Sequence, residues 1–320
     1  MLFNARKLLK YFLDPGVKSA FTIKAYSTDL EDFRITIKAK SVEDAVTRLL
    51  GGDHGDGQAL LARYKSRMTK ARGLGSATIN RRLSTLRSLG KDSRILGMVP
   101  WVLEAKNVRH EAVRDTKGLS EGNAIKLLDH MEELPRTKPV LRDRAIIRLL
   151  LDHALRRGAL CKLDMSDFNT ETGELKVLEK GKREKAARRL SGSARQALAD
   201  WVKIRGTHAG AIFINFDVLH KAKTGKRVSG SAIYAILKAR AKGAGIKGPI
   251  RPHGLRHTSI VLAAAEASKR GYGLDKVREH SGHKNVRTLE IYLDKTKEVA
   301  SELAEAVSRR LGGKKGLPAG

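Results

Sequence analysis

Apolar residues recur at intervals of three and four along most of this 320-residue chain, which is the spacing of one face of an α-helix. The first hundred residues show this spacing repeatedly, most clearly at 19–33 and 76–91. Between about 169 and 190 the pattern changes to short apolar segments separated by turn residues, which is typical of a β-hairpin. The chain is therefore predicted to be mainly α with a small β-sheet.

These patterns divide the chain into five parts. We expect an N-terminal extension at 1–18, a helical domain at 19–107, a linker at 108–117, a mixed α/β domain at 118–295 and a C-terminal helix and tail at 296–320. The linker, VRHEAVRDTK, is charged and weakly apolar. Two separate folded domains are also what a chain of this length favours.

The second domain combines helices with short strands. Helical spacing predicts helices at 124–131, 142–155, 193–204, 231–242, 253–267 and 274–280. The segments ELKVL and AARRLS predict the two strands of a hairpin, joined by the basic tip EKGKREK. A further short strand is predicted for AIFINF at 211–216.

The chain carries far more positive charge than solubility requires. Its 64 lysines and arginines exceed its 34 aspartates and glutamates by 30, so a polyanionic partner is predicted. Basic residues occur in nearly every segment, which favours an extended groove around DNA or RNA over a single basic membrane-surface helix. Because 41% of the residues are hydrophobic, the chain can bury one or two cores, and wholesale disorder is excluded.

Cysteine usage and the lack of long apolar runs indicate where the chain acts. The single cysteine, Cys161, excludes a disulfide framework and a cysteine-rich zinc module, and it is typical of a reducing compartment. No run approaches the roughly 18 apolar residues of a membrane helix. The start, MLFNARKLLKYFL, lacks the apolar core of a secretory signal. We therefore expect an intracellular, cytoplasmic protein with no membrane contact.

Two segments place basic side chains where they could bind phosphate. In ALRRGAL, Arg156 and Arg157 follow a long apolar helix, and a guanidinium held there could bind two phosphate oxygens without losing its charge. The predicted hairpin tip carries a second group of cations, Lys180, Lys182, Arg183 and Lys185. By itself, each segment is more typical of a solvated arginine pair or an ordinary basic turn.

Two further segments are more specific. In RPHGLRHT, His253 and Arg256 fall on one side of a helix start, with His257 on the next turn. In HSGHKNVRTLEIY, Tyr292 follows His283 by nine positions, about two turns of helix. His253 and His257 could instead be a metal pair or core histidines, and Tyr292 a core aromatic. No HExxH pattern or cysteine cluster supports the metal site.

Together these segments resemble the motifs of the tyrosine recombinases, the family of phage integrases and of Xer and Cre recombinases. The segment ALRRGALCKLDMSD resembles the family pattern G-L-R-x-S-E-L-x-x-L-x-W-x-D, and EKGKREK resembles G-K-G-x-K-x-R. The signature H-x-L-R-H-T is complete as HGLRHT, and SGHKNVRTLEIY resembles L-G-H followed by tyrosine. The helical segment SATINRRLSTLRSL resembles the family's core-binding domain, which closes the other side of a DNA clamp.

The resemblance implies a reaction and a set of site residues. Tyr292 would attack a scissile phosphodiester and form a 3′-phosphotyrosyl link, without metal, ATP or another cofactor. The catalytic residues would be Arg156, Lys180, His253, Arg256, His283 and Tyr292. Asp167 would be a structural aspartate. The residues expected to contact DNA are Arg81, Arg82, Arg87, Lys182, Arg183 and Lys185.

Three positions depart from the family pattern or leave it ambiguous. Ala159 stands where the family has an acidic residue three positions after the first arginine, which affects how Arg156 is oriented. Ser281 replaces the usual leucine before the glycine, a change that affects packing more than chemistry. Lys182 competes with Lys180 for the role of catalytic lysine, because the register of a hairpin is hard to fix from sequence.

The resemblance also implies a homotetramer on two DNA duplexes. The tail segment EVASELAEAVSRRL could pack into a neighbouring copy or fold back on its own domain, through an apolar face of Val299, Leu303, Val307 and Leu311. Because the core-binding helices begin near Ser19, no additional arm-binding domain is expected. Three other functions stay open: a type IB topoisomerase, a non-catalytic DNA-binding relative and a metal-dependent nuclease. No motif indicates accessory proteins.

Overall fold

The computed structural model describes residues 3–109, 118–179, 182–216, 225–282 and 289. The chain divides into two compact units, Met1–Val113 and Arg114–Gly320. The division lies within the segment 108–117 that the sequence predicts as a linker. In the described part of the chain, no helix has the length and apolar character needed to cross a membrane.

The first unit is helical. Its helices are α1 (Ala5–Phe12), α2 (Ala20–Ile37), α3 (Val42–Leu50), α4 (His54–Ser66) and α5 (Ser76–Ile95), with a π-helical turn at Arg67–Ala71. The first four helices each begin after a side chain that accepts a hydrogen bond from the backbone N–H three residues on, namely Asn4, Ser19, Ser41 and Asp53. Such caps satisfy N–H groups that have no partner within the helix.

Helix α1 is part of the core of this unit. Leu8 and Phe12 are fully buried, and the Phe12 ring stacks on Tyr26 of α2 with the ring centroids 4.7 Å apart. The expectation of an N-terminal extension over residues 1–18 is therefore corrected. The apolar face of α1 packs against α3 and α5, so the helical unit begins well before residue 19.

The second unit is built around a buried helix. Its helices are α6 (Glu121–Glu133), α7 (Lys138–Asp152), α8 (Arg157–Leu160), α9 (Gly192–Arg205), α10 (Gly230–Gly243), α11 (Pro252–Lys269) and α12 (Leu274–Ser281). A 3₁₀ turn covers Met165–Asp167. Helix α7 packs mainly against α9. Its residues Ile146, Ile147, Leu149 and Leu150 share the core with Trp201, and full burial of one such side chain contributes about 1.5–3 kcal/mol.

A three-stranded antiparallel sheet follows the 3₁₀ turn. Its strands, in spatial order, are β1 (Phe168–Asn169), β2 (Glu174–Leu178) and β3 (Lys185–Arg189). Leu175 lies opposite Arg188 and Val177 opposite Ala186. Leu175 and Val177 are buried while Lys176 is exposed, as the twofold alternation of a strand requires. The prediction of a mainly helical chain with a small sheet is confirmed.

Two predicted elements differ from the structure. The run 211–216 is not a strand, because Ala211 pairs with Asp164 and Ile214 with Arg227 in isolated bridges. An apolar run can be buried without pairing along its length to a neighbouring strand, when its backbone partners lie on separate segments. Hydrophobic periodicity alone does not distinguish such a run from a strand. Helix α7 ends at Asp152 and does not reach Leu155. Ala154 has a φ of 49°, in the left-handed region, which no continuing right-handed helix allows.

Candidate active site

A cavity of about 550 Å³ in the second unit brings three of the predicted catalytic residues together. Arg156 lies about a hundred positions before His253 and Arg256 in the sequence, yet all three line this cavity. The remaining lining residues are Arg157, Gly158, Tyr234, Arg251 and Pro252. With four arginines around it, this cavity is suited to a bound anion such as a phosphate.

Arg156 is placed by the turn that ends α7. After the left-handed Ala154 the chain becomes extended, and Arg156 directly precedes α8, with φ −73° and ψ 139°. Its Nη1 and Nη2 atoms both donate to the carbonyl oxygen of Gly282, at 3.3 Å each. The side chain keeps 30% of its surface exposed. Arg156 is thus anchored from one side while remaining accessible from the cavity.

Arg256 is held more deeply. It lies in the second turn of α11 and is 4% exposed. Nη1 donates to the carbonyl of Ala154 and Nη2 to the carbonyl of Ser281, the latter at 2.6 Å. A charged group can be buried at tolerable cost only with such partners. Arg256 therefore links α11, the turn after α7 and the end of α12.

Three arginines bind three consecutive carbonyl oxygens at the end of α12. Arg156 binds Gly282, Arg256 binds Ser281, and Arg188 of β3 donates to the carbonyl of His280 at 2.9 Å. The last carbonyls of a helix lack partners within the helix and carry partial negative charge, so cations stabilise them. The backbone that leads to residue 283 is thus fixed by residues from β3, α11 and the turn after α7.

The histidines of the HGLRHT motif occupy different environments. His253 is exposed in the N-terminal turn of α11 and lines the cavity. His257 is half-buried one turn later. Pro252 at the start of α11 places the positive end of an 18-residue helix beside the cavity. Within the described residues, no group of three or more histidine, cysteine, aspartate or glutamate side chains could hold a metal ion.

Several predicted site residues lie outside the described residues. These are Lys180, His283 and Tyr292, together with the apolar face of the tail segment, Val299, Leu303, Val307 and Leu311. Their assignments stay predictions.

The hairpin separates two kinds of basic side chain. Lys182 and Arg183 are exposed at its tip. Lys185 instead contacts both carboxylate oxygens of Asp167, at 2.6 and 2.7 Å, and Asp167 is 5% exposed. The charge of Lys185 thus neutralises a buried carboxylate, and its contact with DNA stays a prediction. Asp167 also accepts a hydrogen bond from the backbone N–H of Asp164 at 2.8 Å, as befits a structural aspartate.

The predicted DNA-contacting arginines of α5 are engaged within the helical unit. Arg82 is 12% exposed and its Nη1 lies 2.9 Å from Asp32. Arg87 donates to the carbonyl of Ala105 at 2.9 Å and to Asn107 at 3.0 Å. Arg82 and Arg87 therefore contribute to the stability of this unit, and their contact with DNA stays a prediction. Arg81, ion-paired with Asp29 at 2.5 Å, stays half exposed.

Two residues for which the motifs predict no role, Glu179 and Arg188, lie beside the motif arginines. Both line a small space that also contains Arg156 and Arg256. A sequence signal for Glu179 exists, since the pattern G-K-G-x-K-x-R has glycine at the position that Glu179 occupies. Arg188 has no such signal, because its partners come from α12 and from the far end of the hairpin.

Two half-buried histidines lie behind the arginines. Burial lowers the pKa of His153 from its ordinary value of 6.5 to about 4, assisted by the charge of Arg188. Burial likewise lowers the pKa of His280 to about 4, with further contributions from His153, Arg188 and Arg256. Ser191 donates its backbone N–H to His153 at 2.9 Å, and His280 lies 3.1 Å from the Ser259 hydroxyl. Both imidazoles are therefore neutral at pH 7.

Comparison with known proteins identifies the family. Residues 117–299, more than half of the chain, match the phage integrase family. The chain is 32% identical over 293 residues to tyrosine recombinase slr0733 of Synechocystis sp., covering 91% of each protein. The fold resembles XerH recombinase in a post-cleavage complex with a palindromic difH substrate, at a TM-score of 0.65 and 21% identity, over 90% of this chain and 79% of that one.

A second solved structure shows the same fold. It is a lambda integrase tetramer bound to a Holliday junction, with a TM-score of 0.61 and 17% identity, over 90% of this chain and 77% of that one. The motifs of the second unit, the family match and the identity to slr0733 agree with one another. The chain belongs to the tyrosine recombinase family of phage integrases and is a site-specific recombinase.

Proposed function

We propose that this recombinase cleaves and rejoins double-stranded DNA through a 3′-phosphotyrosyl intermediate, with Tyr292 as the nucleophile. The observation that carries the proposal is the cavity in which Arg156, His253 and Arg256 meet. A phosphodiester bound there would have each nonbridging oxygen next to a guanidinium, and charge builds on these oxygens in the transition state. Stabilisation of such charge is usually the largest single contribution to catalysis.

The remaining steps are assigned to residues of the family motifs. The phenol of tyrosine is a weak nucleophile at neutral pH because its ordinary pKa is about 10. His253 would accept the phenol proton as the Tyr292 oxygen bonds to phosphorus. As the bond from phosphorus to the 5′ oxygen breaks, Lys180 would donate a proton to that oxygen, while His283 would hydrogen-bond the phosphate. The phosphotyrosyl link conserves the bond energy, so religation needs neither ATP nor metal.

The proposed working assembly is a homotetramer that joins two DNA duplexes. Strand exchange between duplexes requires an active site for each cleaved strand, which is four sites in all. The lambda integrase tetramer bound to a Holliday junction contains four copies of a chain with the same fold. The tail segment with Val299, Leu303, Val307 and Leu311 is the proposed contact to a neighbouring copy.

Covalent capture on DNA tests the proposal. Wild type and Tyr292→Phe would be incubated, in parallel with EDTA and with Mg²⁺, with a pool of nicked duplexes whose half-sites are randomised, and the products resolved on a denaturing gel. We expect a retarded, protease-sensitive band for wild type only. No covalent band on any duplex to which the protein binds would contradict the proposal. Strand cuts that EDTA abolishes, without a covalent band, would instead indicate a metal-dependent nuclease.

A further inference from the structure

The position that carries an acidic residue in the family pattern is occupied here by Ala159, three residues after Arg156. Ala159 is 8% exposed and lines a small space together with Arg156, Glu179 and Arg188. This space holds only about 10 Å³ of cavity, close to the minimum that one water molecule needs. The volume that a longer side chain at position 159 would use is therefore filled by other residues.

The hairpin delivers Glu179 to this space. Side chains alternate along a strand, and Leu175 and Val177 of β2 both point into the core. Glu179 follows directly after β2 and continues the same face, where it is 15% exposed. Arg188 lies opposite Leu175 in the register of β2 and β3, so it shares that face.

The Glu179 carboxylate lies between two arginines. Oε1 accepts a hydrogen bond from Nη2 of Arg188. Oε2 lies 4.0 Å from Nη1 of Arg156, which is an electrostatic contact beyond hydrogen-bond distance. The same two arginines bind the carbonyls of His280 and Gly282. Glu179 therefore supplies negative charge at the point where Arg156, Arg188 and the end of α12 converge.

Gly282 makes this approach possible. Its φ of 60° is in the left-handed region, and a Cβ atom built on it would collide with the carboxylate of Glu179. Only glycine combines this backbone conformation with so close a contact. The glycine before His283 and the glutamate before Lys180 thus fit each other sterically.

We propose that Glu179 is the positioning residue for Arg156, supplying from the hairpin the carboxylate that the family pattern places at position 159. The inference rests on the proposed function, in which Arg156 binds the scissile phosphate. Glu179 offsets the repulsion between Arg156 and Arg188 and fixes the Arg156 guanidinium from behind. The cavity side of Arg156 remains accessible to substrate.

The test compares rates of covalent capture with affinities for DNA. In Glu179→Gln the shape is kept and the charge removed, and we expect formation of the covalent band to slow by about 10- to 100-fold, since small displacements of a catalytic group carry penalties of this order. The dissociation constant for intact duplex should stay within about threefold. Glu184→Gln removes the same charge from an exposed position in the hairpin and should leave the capture rate unchanged.

A second variant restores the carboxylate from the family position. The double variant Glu179→Ala, Ala159→Glu should form the covalent band at least about tenfold faster than Glu179→Ala. The space vacated by the Glu179 side chain admits the new side chain at position 159. Loss of packing at Glu179 would not be repaired in this way. The double variant also decides the question if Glu179→Gln proves poorly folded by circular dichroism.

The outcomes separate the two proposals. If wild type forms no covalent band on DNA that it binds, the proposed function fails. If wild type forms the band and Glu179→Gln forms it at the same rate, the positioning role of Glu179 is wrong. A folded Glu179→Ala, Ala159→Glu double variant that captures DNA no faster than Glu179→Ala would also overturn it.

Discussion

At the residue scale, the two motif arginines differ in how much of the fold depends on them. Arg256 is almost fully buried and supports the carbonyls of Ala154 and Ser281. Its removal would leave buried acceptors unpaired, each costing about 1–3 kcal/mol of stability. Arg156 is 30% exposed and bonds only to Gly282 among the hydrogen bonds described for it. Arg156 is therefore the better position at which to separate catalysis from folding.

We expect Arg156→Ala to lower the rate of covalent capture by about 100- to 1000-fold, the usual cost of removing one group that stabilises transition-state charge. DNA affinity should change little, because many other cations contribute to it. The measurement is single-turnover capture at saturating protein. Lys162→Ala is the matched control, since Lys162 is exposed, lies close to Arg156 in the chain and is not among the residues that line the cavity. Equal losses in the two variants would argue against a specific role of Arg156.

At the end of α12, His280 makes the stability of the fold depend on pH. The carbonyl of His280 accepts a hydrogen bond from Arg188, and its half-buried imidazole lies near the charges of Arg188 and Arg256. The pKa of this imidazole is about 4 in the folded chain and 6.5 in the unfolded chain. Its contribution to the unfolding free energy is therefore fully present above pH 6.5. That stabilisation is lost as the pH falls from 6.5 towards 4, because the unfolded chain binds the proton more readily.

We expect the unfolding free energy of wild type to fall between pH 7 and pH 4.5, and His280→Leu to show a smaller fall over the same range. Denaturant titrations at several pH values measure it. Burial raises the pKa of Asp152, which contributes a change of opposite sign in both proteins. His208→Asn at an exposed position should keep the wild-type pH dependence. A His280→Leu profile parallel to that of wild type would contradict the assignment.

At the scale of the whole molecule, a net charge of +30 overstates the cations available to DNA. Lys185, Arg82 and Arg87 all have partners within their own units. Lys182 and Arg183 remain exposed at the hairpin tip. Electrostatic binding to DNA depends on cations that reach phosphates, so only some of the basic residues contribute to it.

We expect Lys182→Ala to reduce the slope of log K against log salt concentration by about 0.9, the value for one phosphate contact. Lys185→Ala should leave that slope unchanged and instead lower the unfolding free energy, because the buried Asp167 carboxylate loses its ion-pair partner. Fluorescence anisotropy across a salt series, with parallel denaturant titrations, measures both. A slope that falls with Lys185→Ala and stays constant with Lys182→Ala would reverse the assignment.

The sequence predicted most elements of this fold because helices and hairpins leave a local pattern. The helices that contain HGLRHT and the residues 231–242 extend only a few positions beyond their predicted ends. The strand prediction for 211–216 is wrong, because an apolar segment is buried in the same way whether or not it pairs with a neighbouring strand. The sequence does not show that α1 belongs to the helical unit, because packing against α3 and α5 is not a local property.

By itself the sequence determined the family and the identity of the motif residues, since these depend only on residue types at fixed spacings. The tertiary structure decided what each charge is used for. It paired Lys185 with Asp167 and Arg82 with Asp32, and it brought Glu179 to Arg156. The reason is physical: a charge acts through burial and distance, and both are set by segments that the fold brings together from far apart in the sequence.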